Sequence, residues 1–156
     1  MSDTLSKSQR SKRMSLVRAK DTKPELIVRR IVRSMKIGHS LHANKLVGSP
    51  DLAFWRRKKV IFVHGCFWHR HRSKTCWRSR LPKSRPEFWI PKLESNRLRD
   101  QRNQRALKRD GWKILVVWEC QLSNKERLEN KIRRFLEGND AGYRTVRRSG
   151  RTRTRS

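Results

Sequence analysis

Two short apolar runs, Leu52–Trp55 and Val60–Val63, stand either side of four consecutive charges, Arg56–Lys59. Strand-length apolar runs around a short polar turn predict a β-hairpin. With the turn at Arg56–Lys59, Trp55 faces Val60, and counting outward brings Asp51 opposite His64. The spacing thus predicts a carboxylate and an imidazole side by side at the open end of the hairpin. A third run, "KILVVW" (Lys113–Trp118), is apolar at almost every position, which predicts a buried strand rather than an edge.

Helical spacing surrounds these strands. Asp21–Gly38 reads as a helix with both ends marked: Thr22 and Glu25 form a capping box, Pro24 sits in the first turn and Gly38 can end it. Ile27, Ile31 and Met35 recur every four residues and are expected in the core with Val28 and Val32. Glu25 is explained as a cap, with a rival reading as an acid leaning towards an active-site metal. His39–Val47 alternates weakly, as a short edge strand would, and Gly48 and Pro50 punctuate a turn. The stretch from Pro82 to Trp112 is mostly one long helix, starting near Pro91 or kinked there. Its sparse apolar face is Phe88, Trp89, Leu93, Leu98 and Leu107, and Arg109–Gly111 stops it. A helix between Val60–Val63 and Lys113–Trp118 makes a right-handed crossover, so those strands are expected to be parallel. A last helix runs from about Ser123, paired with Glu126 as a cap, to Leu136. The fold class is therefore α/β, a mixed central sheet flanked by helices. The folded domain spans 21–138, between a basic arm (1–20) and an Arg-rich tail (139–156) that reads as disordered.

Charge narrows the partners. Forty-two Lys and Arg against 13 Asp and Glu leave +29. Such a surface attracts a polyanion, because each neutralised phosphate releases condensed counterions. Nucleic acid leads; a ribosomal-type structural protein and an anionic membrane surface are the alternatives. No run approaches the ~18 apolar residues of a membrane span. The opening "MSDTLSKSQRSKRM" lacks the apolar core of a signal peptide, which leads to the expectation of a cytoplasmic protein. The arm is either a solvated surface helix or a segment lying along DNA.

Cys66, His71 and Cys76 fall in one loop, with Cys120 far along the chain. Three cysteines cannot all pair, and their neighbours are histidines, which favours a reducing compartment and a metal. Cys66 is three residues past Val63 and Cys120 three past Val117, so parallel strands bring both to one end of the sheet. Cys₃His is a closed, structural zinc pattern; unrelated buried cysteines are the alternative. His64 and His69 are then left unligated beside Asp51, where a neutral imidazole can take a proton from water.

At this point "PD" (Pro50–Asp51), "IFVHGCFWHRH" (Ile61–His71), "EFW" (Glu87–Trp89), "N-x-x-RD" (Asn96–Asp100) and "GWKILVVWEC" (Gly111–Cys120) resemble the very-short-patch mismatch-repair endonucleases. "RSKRM" (Arg10–Met14) and "DTKPE" (Asp21–Glu25) match that family too, and the likeness runs in order from Arg10 to Leu136. It implies a fold similar to type II restriction endonucleases and Mg²⁺-dependent nicking of double-stranded DNA 5′ of the thymine in a T:G mismatch. It implies that Asp51 and the backbone carbonyl of Val63 hold magnesium, that His69 is the general base and that His64 assists at the phosphate or the metal-bound waters. Asp100 would orient a histidine. Phe67 and Trp68 would wedge into the base stack and Met14 would enter from the other groove. The gap from His71 to Cys76 is longer than in the family, which singles out Cys76 among the four zinc ligands. Pro91 replaces a helix-compatible residue.

The leading expectation is therefore a monomeric, zinc-stabilised, magnesium-dependent mismatch endonuclease. A nuclease of the same fold with a homing or phage-type target, and a non-catalytic zinc-stabilised nucleic-acid-binding protein, are the alternatives. Asp51, His64 and His69 together speak against the last, since zinc and charge alone would not require them.

Overall fold

The computed structural model describes residues 6–9 and 21–138. Met14, most of the basic arm and the tail from Asn139 lie outside the described residues. The sheet has four strands in the order β1 (Ser40–Leu41), β2 (Leu52–Phe54), β3 (Lys59–His64), β4 (Lys113–Trp118). β1 and β2 are antiparallel, as are β2 and β3, while β3 and β4 run parallel with Val63 beside Val117. The mixed sheet and the parallel crossover are as the sequence predicts.

The hairpin register differs. Trp55–Arg57 coil into a 3₁₀ turn and Lys58 closes it at φ 50°. The loop is therefore Trp55–Lys58, and Lys59 begins the strand opposite Phe54. Lys59 can do so at 2% exposure because its ammonium donates to the carbonyls of Phe135 (2.8 Å) and Leu136 (3.3 Å) at the end of the last helix. Ala53, not Trp55, faces Val60, and Asp51 is not the partner of His64. The slip is two residues, a whole side-chain period, so every residue keeps its face of the sheet. Asp51 and His64 remain on the same side.

Helices α1 (Lys23–Ser34) and α3 (Lys125–Glu137) cover one face of the sheet. Val28, Val32, Leu128, Ile132 and Leu136 pack there on Leu52, Phe54, Ile61 and Val117. On the other face lies α2 (Pro86–Arg109), whose Leu107 packs with Trp112 on Ala53, Val60 and Phe62. Thr22 caps α1 as expected, but the helix ends at Ser34, with Lys36 at φ 56° making the turn ahead of Gly38. Its buried row is Glu25, Val28, Arg29 and Val32, while Ile31 and Met35 only flank the core.

Three further expectations are corrected. Among the described residues β4 is an edge strand, mostly half-buried; its apolar side chains reflect the helical layers on its two faces, which apolar content reports, and not a partner on its edge. α2 begins at Pro86 and carries Pro91 inside it. The hydrogen bond Pro91 cannot donate would reach Glu87, in the exposed first turn, where water can serve the carbonyl. Of its apolar residues Leu93 and Leu107 are buried, whereas Phe88 and Leu98 are 45% and 47% exposed. Asn124, not Ser123, caps α3 by accepting from the Arg127 N–H at 3.0 Å.

Candidate active site

β2 stops pairing with β3 at Leu52 and Ile61. Two residues on, the N–H of Val63 points to the same edge of β3, and the Asp51 carboxylate accepts it at 2.6 Å. A side chain thus continues the ladder where the backbone has left it. The Asp51 backbone is held too: its carbonyl accepts from His42 N (3.1 Å) and that of Pro50 from Ala43 N (3.0 Å). Burial raises the Asp51 carboxyl to about 6; the Val63 hydrogen bond opposes this and the nearby charge of Glu25 adds to it.

His64 ends β3 on the same face. Its ring stacks on His69, centroids 3.8 Å apart and 7° from parallel, and meets Trp118 edge-on at 5.2 Å. Burial, then repulsion from His69, lowers its pKa to about 3, so it is neutral at any ordinary working pH. His69 sits on the tight turn after β3, where its N–H bonds the Gly65 carbonyl at 3.2 Å. Its Nδ1 lies 2.6 Å from Asp100 Oδ2 on α2. A carboxylate there accepts a hydrogen bond from Nδ1–H, which fixes that tautomer and leaves the Nε2 lone pair free.

These groups line one cleft of about 780 Å³ together with Glu25, Gly48, Trp68, Arg99, Asn103 and Glu119. Gly48 has φ 77°, and a Cβ there would come within 3.0 Å of Asn103 Cβ, so the β1–β2 connection can approach α2 only at a glycine. Glu25 has a place both at the helix start and on the cleft wall. It accepts from Asp21 N (3.0 Å) and Thr22 Oγ1 (3.3 Å) at the start of α1, and it lines the cleft. Arg29 holds it from behind at 3.1 Å and also reaches Asp21 (2.6 Å) and His42 Nε2 (2.8 Å). The Arg29 and His42 hydrogen bonds pull the Asp21 carboxyl below its usual range.

Beyond the cleft, ligand atoms of Cys66, His71, Cys76 and Cys120 all lie within 4.8 Å of one another. Tetrahedral thiolate ligation at about 2.3 Å spaces sulfurs by roughly 3.7 Å, so the cluster is of the right size and donor type for one soft cation. Burial first, then the neighbouring Cys76 and Cys120 thiols, push the Cys66 thiol up to about 12, a cost that a bound dication would reverse. The Cys120 N–H already points at Cys66 Sγ (3.4 Å). His71 stacks on Trp118 at 4.3 Å. His64 meets the same indole edge-on, so one tryptophan ties the metal-capable cluster to the stacked histidines.

Phe67 and Trp68 lie beside the cleft, each in edge contact with Trp89, at 5.4 and 6.0 Å. Asn96 on α2 donates to the Trp68 carbonyl at 3.2 Å. The structure thus brings Asp51, Val63, His64, His69, Asp100 and Glu25 to one cleft, with Trp68 on its wall and Phe67 next to it. Sequence reasoning missed Trp118, Asn103 and Glu119. Trp118 was within reach, since parallel strands aligned at Val63 and Val117 place it beside His64. Asn96, Asp100 and Asn103 form a polar stripe at helical spacing on α2, a signal hidden by the many charges around it.

Among the described residues, no helix is long and apolar enough to cross a membrane. The sequence model of a family described as DNA mismatch endonuclease Vsr matches residues 2–75. A type II nicking enzyme of Xanthomonas oryzae pv. oryzae, V.XorIIP, is 46% identical over 137 residues, 88% of this chain and 98% of the relative. V.NmeAIP, a type II nicking enzyme of Neisseria meningitidis, is 36% identical over 87% of this chain and 95% of its own. The DNA mismatch endonuclease Vsr of Escherichia coli is 35% identical over 84% of this chain and 82% of its own. With a relative this similar over nearly its full length, the chain belongs to the Vsr family of DNA endonucleases.

Proposed function

We propose that this endonuclease nicks duplex DNA 5′ of the thymine in a T:G mismatch, with Mg²⁺ at Asp51 and a structural Zn²⁺ at Cys66, His71, Cys76 and Cys120, on a core of type II restriction-endonuclease kind. The observation that carries the reading is a half-buried carboxylate and a carboxylate-oriented imidazole, Asp51 and His69–Asp100, lining one cleft.

Asp51 fits a hard cation because its buried charge is costly alone, as its raised pKa records. In a strand the carbonyl of a residue points to the same edge as its N–H. The Val63 carbonyl therefore faces the Asp51 side and supplies a second oxygen. When bound, Mg²⁺ supplies Lewis-acid stabilisation of the charge growing on the phosphate oxygens. The protein does the rest. His69 Nε2 takes a proton from the attacking water, and Asp100 steadies the imidazolium that results. His64, kept neutral, holds the His69 ring by stacking and offers a hydrogen bond to the phosphate or to the waters around the metal. Phe67 and Trp68, with Met14 from the arm, enter the base stack, where a mismatched step costs less to open.

The test uses end-labelled duplexes, T:G-mismatched and fully paired, incubated with Mg²⁺ or EDTA. A single nick 5′ of the mismatched thymine, in Mg²⁺ only, is expected. Cutting of paired and mismatched duplex alike would remove the mismatch from the proposal. The relatives named as type II nicking enzymes favour a second reading, a nicking enzyme of the same fold with another target. A panel of the other mismatches in the same sequence separates the two.

A further inference from the structure

Trp77 is 64% exposed, the most open of the large hydrophobic side chains among the described residues. Its backbone, by contrast, is fixed. It opens a 3₁₀ turn, Trp77–Ser79, immediately after Cys76 of the metal-capable cluster. Ser79 Oγ donates to the Cys76 carbonyl at 2.9 Å, and Cys76 N to that of Ser73 at 3.1 Å. Beside it, the Arg78 guanidinium lies 4.8 Å from the Trp77 ring centroid and reaches Glu119 Oε1 at 3.4 Å. Glu119 lines the cleft, so the Arg78 side chain links the indole to one of its walls. Among the described residues no ring contact joins Trp77 to Phe67, Trp68 or Trp89.

We infer that Trp77 is a DNA-stacking residue, a platform at the cleft rim that holds nucleotides flanking the nick, separate from the aromatic wedge. The inference rests on the DNA-nicking reading. The indole lies outside the apolar core, and its exposed position leaves its surface open to a ligand. Arg72, Lys74, Arg78 and Arg80, all exposed, flank it in the sequence, and Arg78 lies over its ring. An occupant must therefore combine negative charge with flat apolar faces, and a nucleic-acid strand does both. Arg78 occupies one side of the ring and leaves the other for a base or sugar, and its bond to Glu119 sets the angle of the platform to the cleft. The fourth ligand of the cluster thus orders a reading element as well as stabilising the fold.

Two measurements test it on the full-length, metal-loaded protein. The first is affinity for a T:G duplex as a function of salt. Trp77→Ala is expected to weaken binding about tenfold, within a range of roughly five- to a hundredfold. The loss should be equal at every salt concentration, because an uncharged side chain releases no counterion; Lys74→Ala should instead make the slope shallower by up to about 0.9. Trp77→Phe should restore most of the loss. Affinity of Trp77→Ala within twofold of wild type, or a loss that Phe does not restore, overturns the inference. The second needs no variant and decides alone if Trp77→Ala loses its metal. Hydroxyl-radical oxidation of Trp77, read by mass spectrometry, should fall at least fivefold when wild-type protein is saturated with duplex. An unchanged oxidation rate overturns the inference even where nicking is intact. Protection of Trp77 in a protein that binds duplex without nicking it would uphold the platform and sink the nicking reading.

Discussion

Asp51 carries a conflict between stability and function that can be measured. Its carboxyl titrates near 6 in the folded chain against 3.8 when free. Between those values the folded protein keeps a proton that the unfolded chain has released. The stability linked to that proton is complete below about 3.8 and lost as the pH rises through about 6. Above that, the buried charge costs on the order of 1–3 kcal/mol in the metal-free protein. Asp51→Asn can keep the Val63 hydrogen bond and removes the charge. Calorimetry without Mg²⁺ should show a higher Tm for Asp51→Asn at pH 8 and no difference at pH 4, while nicking is lost. A lower Tm at pH 8 would mean that Asp51 serves the fold and not a cation. His64 works in the opposite direction: its lowered pKa keeps it neutral down to about 3, so it adds no titration to a pH–rate profile near neutrality. Neither value was legible in the sequence, which placed both residues but not their burial.

The elements show what spacing can and cannot reveal. The parallel pairing of β3 and β4 followed from one long helix between two apolar runs, and with it the meeting of Cys66 and Cys120. The hairpin register did not follow, because four charges looked like the turn and one of them, Lys59, is a strand residue held by the carbonyl end of α3. The edge position of β4 was equally hidden: apolar content reports cover on the faces of a strand, and here two helical layers provide it. The element with most consequence is the end of β4. Trp118 touches His71 of the metal-capable cluster and His64 of the cleft. Stripping the cluster with a strong chelator should therefore loosen the His64–His69 stack along with the loop. Near-UV circular dichroism and nicking are expected to fall together, with about one Zn released per chain by elemental analysis. Full activity, with the chelator removed and Mg²⁺ restored, in protein shown to be zinc-free would end the structural role given to the cluster.

At the scale of the whole molecule, +29 charges make duplex binding a salt-governed process. The stretch Gly142–Ser156 holds six arginines. Deleting it should make the slope of log K against log salt shallower while the preference for T:G over paired duplex survives. Loss of that preference would make the tail a reader of the mismatch. In the proposed mechanism charge brings the chain to DNA, and the cleft that holds Asp51, His64 and the Asp100-oriented His69 is where the strand is cut. Single-turnover nicking of a T:G duplex by His69→Ala, with protein and Mg²⁺ saturating, tests that claim most directly. A general base in this position is worth about 10²- to 10⁴-fold. The account predicts a loss of that size with DNA affinity within twofold of wild type. A rate within threefold of wild type would place the chemistry outside this cleft.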